Sequence, residues 1–229
     1  QREVVRNERR QNYEDSPYGK IWLELPEMLY PSNHPYSLEG IGSHEDLLNA
    51  TLDTVTNFYS QWYVPNNATL CVAGDFDPIH VKSRIRDWFG QLAPSDTVTH
   101  YIAPHVNEPQ IRSRVVTDNV QLPALVMAWH SPKIFEQGDA ELDILADVLA
   151  GGANSRLTSL LVHQQQLVQD LGIFQYSRKD GSMFIVMAYA SPGVELTTIQ
   201  NAVQTEMDAI ASGKKPLDSK ELAQALSSY

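Results

Sequence analysis

The sequence is poor in cysteine, in basic residues and in long apolar runs. Cys71 is the single cysteine among 229 residues, which excludes an internal disulfide framework. No apolar run approaches the roughly 20 residues that a membrane-spanning helix needs. Lysine and arginine number 17 against 28 aspartate and glutamate residues, and the formal net charge of −11 argues against nucleic acid and anionic membranes as partners. The sequence therefore predicts no nucleic-acid binding and no membrane insertion.

The composition predicts a folded protein, and the helical patterns at the two ends of the sequence predict that it belongs to a longer chain. The hydrophobic fraction of 42% is ordinary for a globular protein with a real core. Cys71 lies inside the apolar run 69–73, which favours a buried, unreactive thiol over a nucleophile. The sequence opens inside a charged helical pattern and stops while apolar helical periodicity continues. We therefore expect an excised piece of a larger polypeptide.

The opening segment Gln1–Gln11 carries the first candidate for chemistry. Its arginine, glutamate and glutamine residues favour a helix, and only Val4 and Val5 are β-branched. Glu8 then lies two helical turns after Gln1, on the same face. On residue types alone, Glu8 is most simply interpreted as a solvated charge, and a functional role needs further support.

A family resemblance supplies that support. The segment Arg2–Glu8 resembles the glutamate helix of the pitrilysin/insulinase family of zinc peptidases, whose signature is the inverted motif H-x-x-E-H. In that family the two histidines and a distant downstream glutamate bind zinc, and the glutamate between the histidines is the general base. The resemblance implies that Glu8 is the third zinc ligand and that no catalytic residue lies within this chain. Gln1 stands where the family often has a second glutamate, and its amide could form a hydrogen bond but adds no charge.

Three histidines, His34, His44 and His130, are weak candidates for metal ligands. None has a second ligand at the spacing that completes a pair on one helix face, and His44-Glu45 is not the inverted motif. We interpret all three as structural side chains.

Two more stretches resemble the same family. Residues 63–77 follow its order of Y-x-P-x-N, apolar strand and G-D, which predicts a buried strand at about 68–73 and then a helix capped by Asp77. Residues 151–157 resemble its S-R-L element, after which the family places an arginine and a tyrosine that grip the substrate backbone. Val162 and Gln169 occupy those two positions here. The gripping pair is thus missing, as is common in the half of the family's peptidases that keeps the zinc ligands, and the resemblance points to that half.

The periodicity along the chain predicts an α+β fold, with a largely antiparallel sheet and helices packed over one face. Predicted helices cover about 44–62, 77–89, 138–150, 195–211 and 218–229, and Ser43 is the predicted N-cap of the first of these. Predicted strands cover 68–73, 112–117, 124–129, 173–178 and 183–190, and Asp180-Gly181 predicts a two-residue hairpin between the last two. The resemblance implies a half-clamshell metallopeptidase domain. We assign residues 1–62 to the zinc-ligand helix and the connecting helices that end the first half of the peptidase domain, and residues 63–229 to the second-half α+β domain.

The first functional hypothesis implied by the resemblance is a fragment of a zinc-dependent metalloendopeptidase that hydrolyses peptides. Zinc belongs to the full-length parent, where the metal and a glutamate would activate water for attack on a peptide carbonyl. One carboxylate cannot replace three protein ligands, so we expect the isolated chain to be inactive and not to retain zinc. The expected partners are a peptide or unfolded polypeptide substrate and a second homologous domain or subunit.

Two alternatives stay open at this point. The chain could be a non-catalytic partner or structural subunit of the same fold that helps to enclose the substrate, and an H-x-x-E-H motif upstream of Gln1 would decide against it. It could also be a module that binds extended peptides by adding a strand to a sheet edge. The substrate-binding residues are unknown from the sequence. The acidic composition and the resemblance to bacterial members of the family favour an extracytoplasmic location, such as the bacterial periplasm.

Overall fold

A computed structural model describes residues 1–95, 98, 100–104, 106 and 110–228. Residue contacts group the chain into two compact units. Unit 1 comprises Gln1–Arg6 and Gly42–Ile102, and unit 2 comprises Asn7–Ile41 and Ala103–Tyr229. The predicted division after residue 62 remains a prediction about the domains of the parent protein.

The described residues form helices and one small sheet. The α-helices are α1 (Arg2–Arg9), α2 (Ile21–Leu29), α3 (His44–Asn49), α4 (Leu52–Trp62), α5 (Pro78–Phe89), α6 (Asp139–Ala150), α7 (Leu196–Ala211) and α8 (Ser219–Leu226). The strands are β1 (Ala124–Ser131), β2 (Val168–Tyr176) and β3 (Ser182–Ala190). Two π-helical segments, Arg10–Glu14 and Thr158–Gln164, and a 3-10 turn at Pro65–Asn67 complete the regular structure. None of the helices in the described ranges is both long and apolar enough to cross a bilayer.

The predicted opening helix is confirmed as α1, which continues directly into the π-helical segment Arg10–Glu14. The wider turn shows in the hydrogen bond that the Asp15 backbone N–H donates to the Arg10 carbonyl, five residues earlier, at 2.7 Å. Such segments are rare inside helices and are frequent at functional sites, because they change the direction of the side chains that follow.

In unit 1 the helix predicted over 44–62 is two helices, α3 and α4. Ser43 caps α3 as predicted. Thr51 then caps α4 and exchanges hydrogen bonds with Thr54. The prediction of one helix was wrong because this second cap satisfies the backbone of a new helix start and competes with continuation of the first helix. The predicted Asp77 cap of α5 is confirmed.

The buried strand predicted over 68–73 is wrong for this chain. These residues have no regular secondary structure, and the side chains of Leu70 and Val72 are 58% and 45% exposed. Cys71 is exposed as well, so the predicted buried thiol is a second correction. A strand forms only when a neighbouring strand takes up its backbone hydrogen bonds, and no strand in the described part of the chain pairs with this run.

The predicted strand over 112–117 in unit 2 is also wrong. The segment lies against α2 through its side chains: the Arg112 guanidinium donates to the Met28 carbonyl at 2.9 Å, and the Arg114 guanidinium pairs with the Glu24 carboxylate. These contacts hold the segment in place without making it part of the sheet that the described residues form.

The sheet of unit 2 is antiparallel, in the order β1, β3, β2. The predicted hairpin is confirmed between β2 and β3, although its connection runs over the five residues 177–181, not over two. Gly181 ends this β2–β3 loop with φ of 153°, a conformation that other residues rarely adopt. A Cβ at this position would also lie 3.1 Å from the Tyr30 ring. The backbone conformation and the tight space beside Tyr30 both favour glycine here.

The core of unit 2 has two layers because alternate residues of β3 face opposite sides of the sheet. One face packs against α6, α7 and the second π-helical segment; the fully buried side chains of this main cluster include Leu149, Leu157, Leu161, Val186, Ile199 and Val203. Each contributes roughly 1.5–3 kcal/mol through burial. The other face carries a smaller cluster of Leu25, Tyr30, Met183 and Ile185 beneath α2. The predicted α+β class with an antiparallel sheet and a helix layer is confirmed, and α2 adds a second, smaller layer.

Candidate metal-ligand helix and its surroundings

The Glu8 carboxylate, near the end of α1, is exposed to solvent. Neighbouring charges along the same helix are paired. The Arg6 guanidinium contacts Glu3 at 2.9 Å, and the Arg9 guanidinium contacts Glu14 at 3.0 Å. No hydrogen bond or ion pair holds the Glu8 carboxylate within the described residues. The candidate ligand is thus a carboxylate that remains open to an external cation.

Tyr13 lies beside Glu8 in unit 2. The π-helical segment that follows α1 carries Tyr13, five residues after Glu8. Its pKa is raised first by burial, then by the carboxylate of Glu39 and by Tyr176, and also by the carboxylate of Glu8. These influences bring together α1, the segment after α2 and the end of β2. Sequence reasoning missed Tyr13, Glu39 and Tyr176, because no local signal in the sequence links these three separate parts of the chain.

The residues present do not by themselves form a zinc site. Among the described residues there is no group of three or more His, Cys, Asp or Glu side chains that could hold a metal ion. A catalytic zinc has three protein ligands and keeps one position for water or substrate. Glu8 offers one carboxylate oxygen donor, so the donor set of this chain does not fit the complete metal centre.

The three histidines have structural contacts. His34 is buried, stacks on the Tyr30 ring with 4.5 Å between centroids, and accepts the Tyr36 backbone N–H at 3.0 Å. His130 contacts the same Tyr30 ring edge-on at 5.2 Å. His44 accepts a hydrogen bond from the Arg6 guanidinium at 3.4 Å. Burial lowers the pKa of His34 and of His130, which favours the neutral form of both rings.

The stretch that resembles the S-R-L element is structural. Arg156 forms a bidentate ion pair with Glu221, with two N–O distances of 2.5 and 2.6 Å. Val162 lies on the second π-helical segment and packs against the main cluster. Gln169 is exposed in β2 where the pairing with β3 shifts register. A valine and a glutamine at these places have neither the charge nor the phenol that the family's gripping pair supplies.

Comparison with known proteins decides the family. The family model described as the peptidase M16 inactive domain matches residues 49–229. The chain belongs to this peptidase M16 family. The family resemblance predicted from the sequence is therefore confirmed.

Individual M16 relatives agree with this assignment. The chain is 28% identical over 218 residues to the zinc protease PqqE of Helicobacter pylori, which covers 93% of this chain and 49% of the relative. A solved protease structure from Helicobacter pylori superposes with a TM-score of 0.89 at 26% identity, covering 98% of this chain and 54% of that one. The periplasmic protease PqqL of Escherichia coli shares the fold, with a TM-score of 0.73 at 19% identity over 98% of this chain and 25% of that one. The chain spans about half the length of the curated M16 relatives that it matches first, 49% in each case.

Proposed function

We propose that this chain is part of a zinc-dependent metalloendopeptidase and that Glu8 supplies the third protein ligand to the metal. The observation that carries the proposal is the open Glu8 carboxylate on a helix where Arg6 and Arg9 pair with other carboxylates. Its sequence context resembles the family's glutamate helix, and the relatives of this chain include proteins named zinc proteases. A carboxylate in this position would complete a metal centre whose other ligands lie outside the chain.

The division of roles follows from the donor set. The two histidine ligands and the general base would come from an H-x-x-E-H segment upstream of residue 1, and this chain would supply Glu8 and the surrounding scaffold. When bound, the metal would polarise the peptide carbonyl and lower the pKa of its water. The isolated chain would neither retain zinc nor cleave peptides, because a single carboxylate binds zinc weakly. Residues 1–62 would end the first half of the peptidase domain, and 63–229 would form its second half.

A second homologous domain or subunit is the partner that we propose for unit 1. Its exposed apolar side chains include Leu52, Val55, Phe58, Tyr59, Leu70 and Val72. So many large apolar side chains exposed on one unit are unusual for a free monomer and support an interaction surface there. The relatives are about twice as long as this chain, which covers 49% of PqqE. We therefore propose that the remaining half of the parent covers this surface and adds a strand to the run 68–73.

The alternative is a non-catalytic subunit of the same fold that helps to enclose a peptide or unfolded polypeptide. The observation that favours it is the match to a family model described as an inactive domain. For either function we propose an extracytoplasmic, periplasmic location, supported by the structural similarity to PqqL, a periplasmic protease of Escherichia coli.

Peptide hydrolysis by the longer parent protein separates the two functions. We expect the parent to cleave an unfolded polypeptide, to lose that activity in a zinc chelator and to regain it with added zinc, while the 229-residue chain alone stays inactive. The gene sequence before residue 1 should encode H-x-x-E-H. A parent that carries no such motif and shows no chelator-sensitive cleavage would exclude the peptidase and leave the non-catalytic subunit.

A further inference from the structure

A buried aromatic cluster joins three parts of unit 2. The ring of His34, which is 2% exposed, stacks on Tyr30 at an interplanar angle of 23°. The Tyr36 ring lies 5.4 Å from His34 and 5.9 Å from Tyr30, centroid to centroid. His130, from β1, contacts the Tyr30 ring edge-on, with 5.2 Å between centroids. The segment after α2 is therefore packed onto the sheet by stacked rings.

The same segment is also fastened to the β2–β3 loop. The Arg178 guanidinium lies 3.7 Å from the centroid of the Tyr36 ring. The Tyr36 hydroxyl accepts the Asp180 backbone N–H at 3.3 Å, and the Tyr30 hydroxyl donates to the Ser182 carbonyl at 3.4 Å. These contacts place His34 where two loops meet.

The hydrogen bond at Nδ1 defines the protonation state of His34. Nδ1 accepts the Tyr36 backbone N–H at 3.0 Å, so it carries no proton, and the neutral ring has its proton on Nε2. Nε2 is buried and makes no well-formed hydrogen bond to the described residues, although the Asp180 backbone lies near enough to favour the charged ring. An imidazolium would carry a proton on both nitrogens. It could not accept the Tyr36 N–H, and the two donors would repel each other.

We propose that His34 is an acid-released latch: its neutral ring holds the loop Pro31–Ser37 on the β2–β3 loop, and protonation of Nδ1 releases that loop. The loop is built from tight turns that depend on the His34 backbone, which donates to the Pro31 carbonyl at 2.8 Å and accepts from Ser37 at 3.0 Å. Loss of the Nδ1 contact would therefore loosen the whole turn. The inference rests on these contacts and not on the proposed peptidase function.

The surrounding charges set the direction of the pH response. Burial is the largest cause that lowers the pKa of His34, and the positive charges of Arg178 and Lys133 act in the same direction. The Asp180 carboxylate and backbone oppose them. His130 lies on the same ring stack, and its pKa is also lowered, first by burial and then by His34 and Arg112.

The lowered pKa of His34 determines whether acid strengthens or weakens the latch. In the unfolded chain His34 has a pKa of about 6.5, and in the folded chain it lies below that value. The stabilising contribution of the neutral ring is therefore complete above about pH 6.5 and is lost as the pH falls through the folded pKa. The latch should open in mild acid.

Hydrogen exchange at two pH values tests the latch. After correction for intrinsic exchange, protection of the amides in the loop Pro31–Ser37 should fall between about pH 7.5 and about pH 5.5, by up to roughly tenfold, while the centre of β3 keeps its protection. His34→Asn offers an acceptor oxygen near the position of Nδ1 and cannot be protonated, so its loop should stay protected at both pH values. The matched control is His163→Asn, which removes an exposed histidine of the same unit and should behave like the unaltered chain.

Loop protection that is equal at both pH values in the unaltered chain, or lost in His34→Asn as well, would overturn the latch. A second measurement does not depend on a variant that folds. In an NMR titration of the unaltered chain, the Tyr36 amide resonance should shift with the same midpoint as the His34 ring. Titration of His34 without a response of the Tyr36 amide would also overturn it.

Discussion

The Arg156 guanidinium donates a hydrogen bond to each of the two carboxylate oxygens of Glu221, at 2.5 and 2.6 Å. The remaining donors of Arg156 bind the backbone carbonyls of Lys215 and Pro216, at 2.8 and 2.6 Å. This one side chain therefore joins the residues just before the second π-helical segment to α8 and to the turn that precedes α8. It also holds the pKa of Glu221 below its ordinary value.

Replacement of this arginine should destabilise unit 2. Arg156→Ala removes the guanidinium that binds Glu221 and two backbone carbonyls, and we expect the free energy of unfolding to fall by about 2–4 kcal/mol. The matched control is Arg114→Ala, which breaks a partly exposed ion pair with Glu24 and should lower the free energy of unfolding only slightly, by much less than Arg156→Ala. Urea unfolding monitored by tryptophan fluorescence measures the change in the free energy of unfolding for both variants. Equal, small effects would show that Arg156 is not an anchor.

Phe135 has a strained backbone and an exposed side chain, which makes a stabilising substitution possible. Its φ is 65° and its side chain is 93% exposed, while its N–H is held by the Asp139 carboxylate at 2.9 Å. Left-handed backbone costs an ordinary residue about 1–2 kcal/mol, and glycine avoids that cost but gains entropy in the unfolded chain. Phe135→Gly should raise the free energy of unfolding by roughly 0.5–1 kcal/mol.

The control for this substitution lies two residues further on in the same loop. Gln137 is exposed and has no positive φ, so Gln137→Gly should lower the free energy of unfolding by roughly 0.4–1 kcal/mol through unfolded-chain entropy alone. If both glycine variants are destabilised equally in urea unfolding, Phe135 is not strained in solution.

Local signals in the sequence predicted the elements that need no distant partner. Ser43 and Asp77 cap helices as predicted, and the β2–β3 hairpin forms around Gly181. The predictions of strands over 68–73 and 112–117 were wrong because residue type shows only that a segment can form a strand. Whether it does so depends on a neighbour that offers backbone partners, and that neighbour is not encoded in the segment itself.

The residues of the candidate site also differ in whether the local sequence could predict them. Glu8 could be predicted because its helix and its family context are local. Tyr13, Glu39 and Tyr176 could not, because they come from three separate parts of the chain and meet only after α2 has packed against the sheet. The aromatic contacts of His34 have the same origin, since Tyr30 and His130 are 100 residues apart in the sequence.

Cys71 reports whether the apolar surface of unit 1 is covered in the parent protein. In the isolated chain this thiol is exposed and should react with a thiol reagent nearly as fast as in the denatured chain. In the longer parent, a strand paired with 68–73 should slow the reaction by at least about tenfold, because labelling then needs local opening. The same labelling rate in both proteins would contradict the proposed partner surface.

Zinc content of the parent protein is the measurement that tests the central claim most directly. Glu8→Gln keeps the shape of the side chain but removes the anionic ligand. The purified variant should therefore contain far less zinc per protein molecule than the unaltered parent, and it should lose peptide hydrolysis together with the metal. Glu3→Gln, an exposed glutamate of the same helix, is the matched control and should retain both. A Glu8→Gln variant with undiminished zinc and activity would contradict the account and leave Glu8 a surface charge.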